Sequence, residues 1–364
     1  MITTDSDRLS DLDALREVVR DFLADVDPHG GIDLVARVDR DLWEKACTGL
    51  GMAGVDVPEE HDGAGLGAAG LAVVAEEAGR RLARLPLLGS MVVTQGMLLA
   101  AGDAAGESWL PRLLSGEVVA AVADRGEGPV RAVPGETGNA GWRLDGTLWP
   151  VQDGLSADVL LVAAETDAGL SAFLVEPGAT GVHRSACRTL DLTRDAARVE
   201  LREATGVLIG EPGGWSALRE TVTPRLDLAV AAAALGSAET CLASAVEYAG
   251  TRVQFGRAIG SFQAIKHRLA ELAVLIDDAR SAVEHAAWCA DARPDDGALA
   301  AAIAAAAATE AQLQATADVV QVHGGIGFTW EHPDHLHVRR AQSDALLFGD
   351  VPQRREAVLR LMGL

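Results

Sequence analysis

Hydrophobic positions fall into three textures along the 364 residues. Over residues 1–116 they recur at helical spacing, with Leu12, Leu15, Val18, Val19, Phe22 and Leu23 lining one face of a first helix. LWEKACTGLGMAGVDVPEEHDGAGLG then runs from helix into a loop punctuated by Pro58, Gly63, Gly65 and Gly67. A long helix starts near Ala68, and EEAGRRLARLP carries it to a proline break. Over residues 117–210 the period shortens. VVAAVAD, AGWRLDG, TLWPVQ, ADVLLVAAET, LSAFLVE and ARVELRE are short β-type runs divided by Gly, Asp and Pro, which predicts a small antiparallel β domain. Asp145-Gly146 has the form of a hairpin turn within it. Over residues 211–364 the helical texture returns in three long segments, about 215–250, 260–292 and 295–321. The last is nearly all alanine, which has the best helix propensity and lets neighbouring backbones approach, so these segments predict a bundle. The expected fold is α+β: an N-terminal helical domain, a middle antiparallel β domain and a C-terminal four-helix-bundle domain.

Composition narrows the class. Apolar residues make up 49% but aromatics only 4%, so the core is built from Ala, Leu and Val. A net charge of −22 excludes a nucleic-acid surface, which needs a basic stripe. Cys47, Cys187, Cys241 and Cys289 lie far apart without a C-x-x-C pair, which predicts free buried thiols rather than a zinc or redox motif. MITTDSDRLSDLDALREVV is acidic and amphipathic, with none of the marks of a secretory leader. The alanine-rich run Leu299–Thr309 is the longest apolar stretch expected and falls short of a membrane span. The expectation is a cytoplasmic protein that engages no membrane.

Chemistry concentrates in Gln321–Asp350, QVHGGIGFTWEHPDHLHVRRAQSDALLFGD, which joins a glycine turn (Gly324, Gly325, Gly327) to four histidines and a paired arginine. QVHGGIGFT resembles the flavin-binding turn of acyl-CoA dehydrogenases. TRVQFGRAIGSFQAIKHRLAEL, from Thr251, is similar to that family's Arg-x-x-Phe-Gly…Gln helix pair, and LGMAGVDVPEEHDGAGLG to its Pro-Glu-Glu-x-Gly-Gly-x-Gly loop. Order and spacing agree over the whole chain. The resemblance implies FAD as cofactor, an acyl-CoA thioester as substrate, a tetramer of self or with a paralogous subunit, and electron-transfer flavoprotein as electron acceptor. It implies that Arg252 offers its fork of donors to the FAD pyrophosphate of a neighbouring subunit. Phe255 would add an apolar contact and Gln263 a polar one, and the Gln321–Gly325 turn would admit the cofactor where Gly324 and Gly325 carry no Cβ.

The chain departs from the family where the base should stand. Family members remove the substrate α-proton with the glutamate of a Tyr-Glu-Gly-Thr signature; ungapped spacing from Gln321 puts Phe348 there, and phenylalanine accepts no proton. Others place the base before an arginine of the first long C-terminal helix; here that arginine is Arg225, a supporting residue, and Pro224 precedes it. Asp350 is the nearest carboxylate. It reads either as a base or as an N-cap with Gln353 as its capping-box partner. In the middle domain ADRGEGPVRAVPG, from Ala123, replaces the family's Thr-Glu-Pro-x-Ala-Gly-Ser-Asp-like loop, and LWPVQDG keeps Trp149 but puts Pro150 and Val151 where a hydrogen-bonding residue is usual. The residues lost serve a subunit's own flavin ring; those kept serve its neighbour's cofactor. The asymmetry suggests one subunit of an α2β2 heterotetramer, a form found among actinobacterial enzymes of sterol side-chain degradation, with the partner supplying the base. A homotetramer using Asp350 or another carboxylate, and a non-catalytic interaction subunit of the same fold, remain alternatives. No metal is expected. His335 and His337 lie two apart and share no helix face, and no cysteine or paired carboxylate completes a set with His323 and His332.

Overall fold

A computed structural model describes residues 5–27, 37–135 and 141–364; the first four residues of the N-terminal stretch and Ala140 of the AGWRLDG run lie outside these. Helices α1 (Asp5–Phe22), α2 (Arg40–Leu50), α3 (Gly67–Arg81), α4 (Gln95–Ala101) and α5 (Ala104–Leu114) precede the strands. These are β1 (Ala120–Ala123), β2 (Arg131–Pro134), β3 (Trp142–Gln152), β4 (Val159–Thr166), β5 (Gly169–Val175), β6 (Val182–Ala186) and β7 (Ala196–Ile209). Then come α6 (Trp215–Thr251), a hairpin of β8 (Val253–Gln254) and β9 (Arg257–Ala258), and helices α7 (Gln263–Ala292), α8 (Pro294–His323), α9 (Asp334–Phe348) and α10 (Val351–Leu361). The α+β class holds, and the three long C-terminal helices end within three residues of where the alanine pattern places them. By contacts the chain gathers into two compact units that cut across the sequence textures. One is Asp33–Gly65 with Arg84–Leu226; the other is Met1–Ile32, Leu66–Ala83 and Asp227–Leu364.

In the first unit the strands are paired in the order β1-β4-β2-β3-β7-β5, with β5 returning to β4 and β6 added beside β7. The sheet is mixed rather than antiparallel, because β1 and β2 both run parallel to β4. Such pairs join strands distant in sequence, and alternation along one strand carries no record of its neighbour's direction. Asp145-Gly146 is not a hairpin turn either. It forms a bulge inside β3, where Gly146 (φ +153°) lies so close to Val130 that a Cβ would sit 2.9 Å from its Cα. The Asp145 carboxylate accepts from the Glu203 N–H on β7 at 2.9 Å, so its side chain mends the ladder instead of turning the chain. Leu144, Leu148, Leu160, Val162, Phe173 and Val199 form the core, and Trp142 tilts onto Phe173 at 5.4 Å.

The second unit is helical. α7 and α8 are separated by Arg293 alone and pack along their length, and Pro294 with Asp295 and Asp296 opens α8 as helix N-termini favour. Ala301, Ala304, Ala305, Ala308, Ala311 and Ala315 are buried along α8, as its composition requires. α3 and α6 cross at glycines: a Cβ on Gly79 would lie 2.1 Å from the Ala233 carbonyl oxygen, and one on Gly236 2.0 Å from that of Glu76. Beside this crossing Glu76 and Glu77 are 3% and 2% exposed. Arg16 reaches Glu76 at 2.8 Å, Arg20 holds Glu77 in two hydrogen bonds of 2.8 and 3.1 Å, and Arg80 and Arg280 both pair with Glu239. Burial works to raise the Glu76 carboxyl, but Arg16, Arg80 and Arg280 outweigh it and hold it below the ordinary carboxylate range. α10 is tied back by an ion pair between Arg354 and Asp227.

Two sequence expectations change. α6, not Leu299–Thr309, carries the longest apolar window: by length and composition it alone among the described residues suffices to cross a membrane, and 61% of that window is buried, as in a core helix. Cys47, Cys241 and Cys289 are buried free thiols, with burial pushing Cys47 up to about 12, while Cys187 is only half-buried.

Candidate functional site

The residues singled out around Arg252 and Gln321 lie on the helical unit and face outward. α6 stops at Thr251, and the β8–β9 hairpin is closed by Phe255 and Gly256, both at positive φ (+53° and +77°). A two-residue loop with this backbone matches strand twist, but its first position suits Asn, Asp or Gly. Phe255 is held there 92% exposed, set edge-on to Phe262, whose ring centre is 6.2 Å away. A bulky residue held in left-handed backbone with most of its ring bare leaves that ring open to another molecule. The Arg252 side chain is exposed, while its backbone N–H donates to the Tyr248 carbonyl at 2.8 Å and so extends α6 by one bond. Gln263, the first residue of α7, is exposed as well.

α8 ends at His323, and Gly324 (φ +63°) turns the chain into the tight turn Gly324–Phe328. A Cβ on Gly324 or Gly325 would meet no atom within 4 Å, whereas one on Gly327 would lie 3.2 Å from the His323 side chain. Backbone conformation therefore requires glycine at position 324, but nothing inside the chain requires it at 325. The open space there suits close approach by an outside group. Gln321 is exposed, and Phe328 and Trp330 are 78% and 60% exposed around the turn.

The two segments adjoin. Tyr248, whose carbonyl receives Arg252, stacks on His323 at 4.3 Å, directly before Gly324. Beneath this stack lies a cluster that sequence reasoning missed. Asp334, 2% exposed, places Oδ2 3.3 Å from Nδ1 of His323 and 3.3 Å from Nδ1 of His332, and accepts from Ser244 Oγ at 3.2 Å. Burial pushes the Asp334 carboxyl up, offset in part by His332, His323 and Ser244. A carboxylate thus does join the histidines, against the expectation drawn from the sequence, and the three ligand-capable atoms lie within 4.8 Å of one another. His323 Nδ1 also lies 2.9 Å from the Val319 carbonyl oxygen, however. A ring nitrogen facing a carbonyl oxygen carries its proton and donates it, so His323 Nδ1 serves the Val319 carbonyl and the Asp334 carboxylate as a hydrogen-bond donor.

The other histidines of α9 are structural. His335 lies edge-on to Trp330, and fully buried His337 bonds Ser237 Oγ through Nδ1 at 2.8 Å. Burial, with Arg340 nearby, depresses His337 to about 3, so it stays neutral when folded, while in the unfolded chain it takes up a proton below about pH 6.5. Unfolding then binds a proton. Stability is expected to fall as pH drops below about 6.5, by up to about 1.4 kcal/mol per pH unit. His337→Gln should flatten that slope in denaturant titrations between about pH 7.5 and 5, and equal slopes in both proteins would refute the assignment.

Of the residues at the positions where the family resemblance would put a base, Phe348 ends α9 and Pro224 lies inside α6. Arg225 donates from Nε to Asp56 at 2.6 Å. Asp350 is the N-cap of α10 in a complete capping box: its carboxylate accepts from the Gln353 N–H at 2.9 Å, and its own N–H donates to Gln353 Oε1 at 3.0 Å. In the sheet unit, Trp149 is 46% exposed, its N–H donates to the Arg125 carbonyl at 2.9 Å, and Val151 is fully buried. Pro150 has no N–H to offer. Glu127 of the same loop is held by Arg198 in two hydrogen bonds of 2.7 and 3.1 Å.

Comparison with known proteins agrees with the sequence motifs. Residues 10–117 match the family model "Acyl-CoA dehydrogenase, N-terminal domain", and residues 213–362 match "Acyl-CoA dehydrogenase, C-terminal domain". The chain is 36% identical over 324 residues to acyl-CoA dehydrogenase IpdE2 of Mycobacterium tuberculosis, covering 89% of this chain and 86% of that protein. Among solved structures it resembles the ChsE4-ChsE5 complex from Mycobacterium tuberculosis (TM-score 0.84, 32% identity, 100% and 99% of the two chains). It also resembles a variant of the Tcur3481-Tcur3483 steroid ACAD (TM-score 0.85, 29% identity, 98% of each chain). With its glycine turn, its exposed Arg252 hairpin and these relatives, the chain belongs to the acyl-CoA dehydrogenase family.

Proposed function

We propose that this chain is one subunit of a heteromeric FAD-dependent acyl-CoA dehydrogenase, completing a neighbour's FAD site while a paralogous partner supplies the base. Members of the family are FAD-dependent oxidoreductases. The observation that carries the reading is an asymmetry: the outward set of Arg252, Phe255, Gln263, Gln321, Gly324 and Gly325 is intact and exposed, while Phe348 and Pro224 fill both base positions. The outward residues fit the cofactor's phosphate-bearing half. Arg252 would pair its fork with phosphate oxygens, Gln263 and Gln321 would add hydrogen bonds, and the bare backbone at Gly325 would let the group come close. At the chain's own Trp149–Val151 segment the Trp149 backbone N–H is taken by the Arg125 carbonyl and Pro150 has none, which suits a flavin ring held by the partner. Bound there, FAD would supply the acceptor for a hydride leaving the substrate β-carbon. Asp350 is a poor candidate for the base, since its carboxylate is committed to the Gln353 N–H in the capping box of α10.

Similarity to the ChsE4-ChsE5 complex and to a steroid ACAD supports both the heteromer and a bulky steroid-derived acyl-CoA as substrate. Electron-transfer flavoprotein is the proposed acceptor. Produced alone, the chain should hold little flavin and oxidise no acyl-CoA; co-produced with the paralogous subunit, it should purify as a yellow complex that does. A single chain with stoichiometric FAD and full turnover would overturn the proposal.

A further inference from the structure

We infer that Asp334, His323, His332 and Tyr248 form a positioning cluster that holds the Arg252 hairpin and the Gly324–Gly325 turn in register, so that both grip one dinucleotide. The inference rests on the proposed reading that these two segments bind FAD. Arg252 leaves the end of α6, and Gly324 leaves the end of α8, some seventy residues later in the sequence; neither segment has backbone pairing with the other among the contacts described above. What joins them is the stack of Tyr248 on His323 at 4.3 Å, with the Tyr248 carbonyl receiving the Arg252 N–H at 2.8 Å and His323 bonded in sequence to Gly324.

A stack alone permits sliding. The carboxylate of Asp334 removes that freedom. It stands at the start of α9, and by reaching His323 and His332 at 3.3 Å each, and Ser244 on α6 at 3.2 Å, it closes the segment from Gly324 to Pro333 at its base. His332 also packs on His323, with ring centres 4.3 Å apart and the planes tilted by 50°, so the imidazole next to the glycine turn is held by two neighbouring rings. His323 is further fixed along its own helix by the 2.9 Å contact with the Val319 carbonyl. The cluster is buried, with His323 and Asp334 5% and 2% exposed, whereas the groups it would position are on the surface. Tyr248 is the only tyrosine of the chain, and among the described residues it is the ring that faces His323 from α6. The arrangement places a buried carboxylate and two imidazoles beneath a turn whose Gly324, Gly325, Ile326 and Phe328 are exposed, which is how preorganised binding groups are held.

The test uses the complex co-produced with the paralogous subunit, stripped of FAD and titrated with FAD by flavin fluorescence. Asp334→Ala and Tyr248→Leu are each expected to raise the FAD dissociation constant at least tenfold. At saturating FAD, kcat and the KM for acyl-CoA should remain those of the parent. Asp334→Asn keeps an acceptor oxygen for Ser244 and one imidazole, and should recover most of the lost affinity. Unchanged FAD affinity in Asp334→Ala and Tyr248→Leu, with affinity lost in Arg252→Ala, would overturn the cluster's role and leave the FAD reading standing. Unchanged affinity in Arg252→Ala as well would overturn that reading and this inference together. If Asp334→Asn fails as badly as Asp334→Ala, and both lower the thermal midpoint and kcat alongside FAD affinity, the cluster is a structural one and the inference falls.

Discussion

Arg252→Ala is expected to lower the affinity of the assembled enzyme for FAD by about ten- to a hundredfold while leaving the fold intact. A hydrogen bond to a charged group contributes about 1.5–3 kcal/mol, and each 1.4 kcal/mol is a factor of about ten. The Arg252 side chain is exposed, and its structural bond is made by its backbone N–H, which alanine keeps. Gly325→Ala belongs in the same experiment because it isolates approach from charge. A Cβ at that position meets nothing of this chain within 4 Å, so the thermal midpoint should hold, yet the methyl stands where the cofactor would come close. Titration of the flavin-free complex with FAD measures both variants. Parent-like affinity in the two together would remove the glycine turn and its arginine from the cofactor site.

Gly236→Val should be the most damaging single change in the helical unit. Its Cβ would lie 2.0 Å from the Glu76 carbonyl oxygen, and the reciprocal contact of Gly79 with Ala233, at 2.1 Å, prevents a slide along the crossing. The helices would have to move apart. Overpacking costs about 1–3 kcal/mol where side chains give way. Here the obstacle is backbone, and separation would also stretch the bonds that Arg80 and Arg280 make to Glu239, so a loss above about 3 kcal/mol, or failure to fold, is expected. Gly250→Ala is the control: it lies in the same helix with open space around it and should stabilise by up to about 1 kcal/mol. Denaturant unfolding of the two proteins makes the comparison, and similar midpoints would show that the crossing is not close-packed.

The helices were readable because periodicity and alanine content are local properties: α8 is written in its own residues, from Pro294 to the His323–Gly324 stop. The parallel pairing of β1 with β4 was not, since neither strand encodes the direction of a neighbour some forty residues away. Asp145-Gly146 misled for a related reason. The same dipeptide serves a hairpin or a bulge, and the strand across from it decides. Arg252, Gln321 and the glycines of the proposed cofactor site were singled out by resemblance to the family's motifs, and the cap at Asp350 by the pattern of a capping box. The Asp334 cluster escaped because helix-face reasoning compares positions three or four apart. His323 and Asp334 stand eleven residues apart on two helices, brought together by the turn between them. A glycine stop followed by Pro333 at a new helix start was the available hint that the two ends return to each other.

The ring of arginines around Glu76, Glu77 and Glu239 has a consequence for warm conditions. The penalty for withdrawing charges from water shrinks on heating, because ion hydration carries unfavourable entropy, while apolar burial gains little more per unit area. A core made of alanine contributes modest area per residue, so this network takes a growing share of the helical unit's cohesion as temperature climbs. On warming, the guanidinium–carboxylate contacts of α1, α3, α6 and α7 are therefore the part of this unit whose contribution fades last.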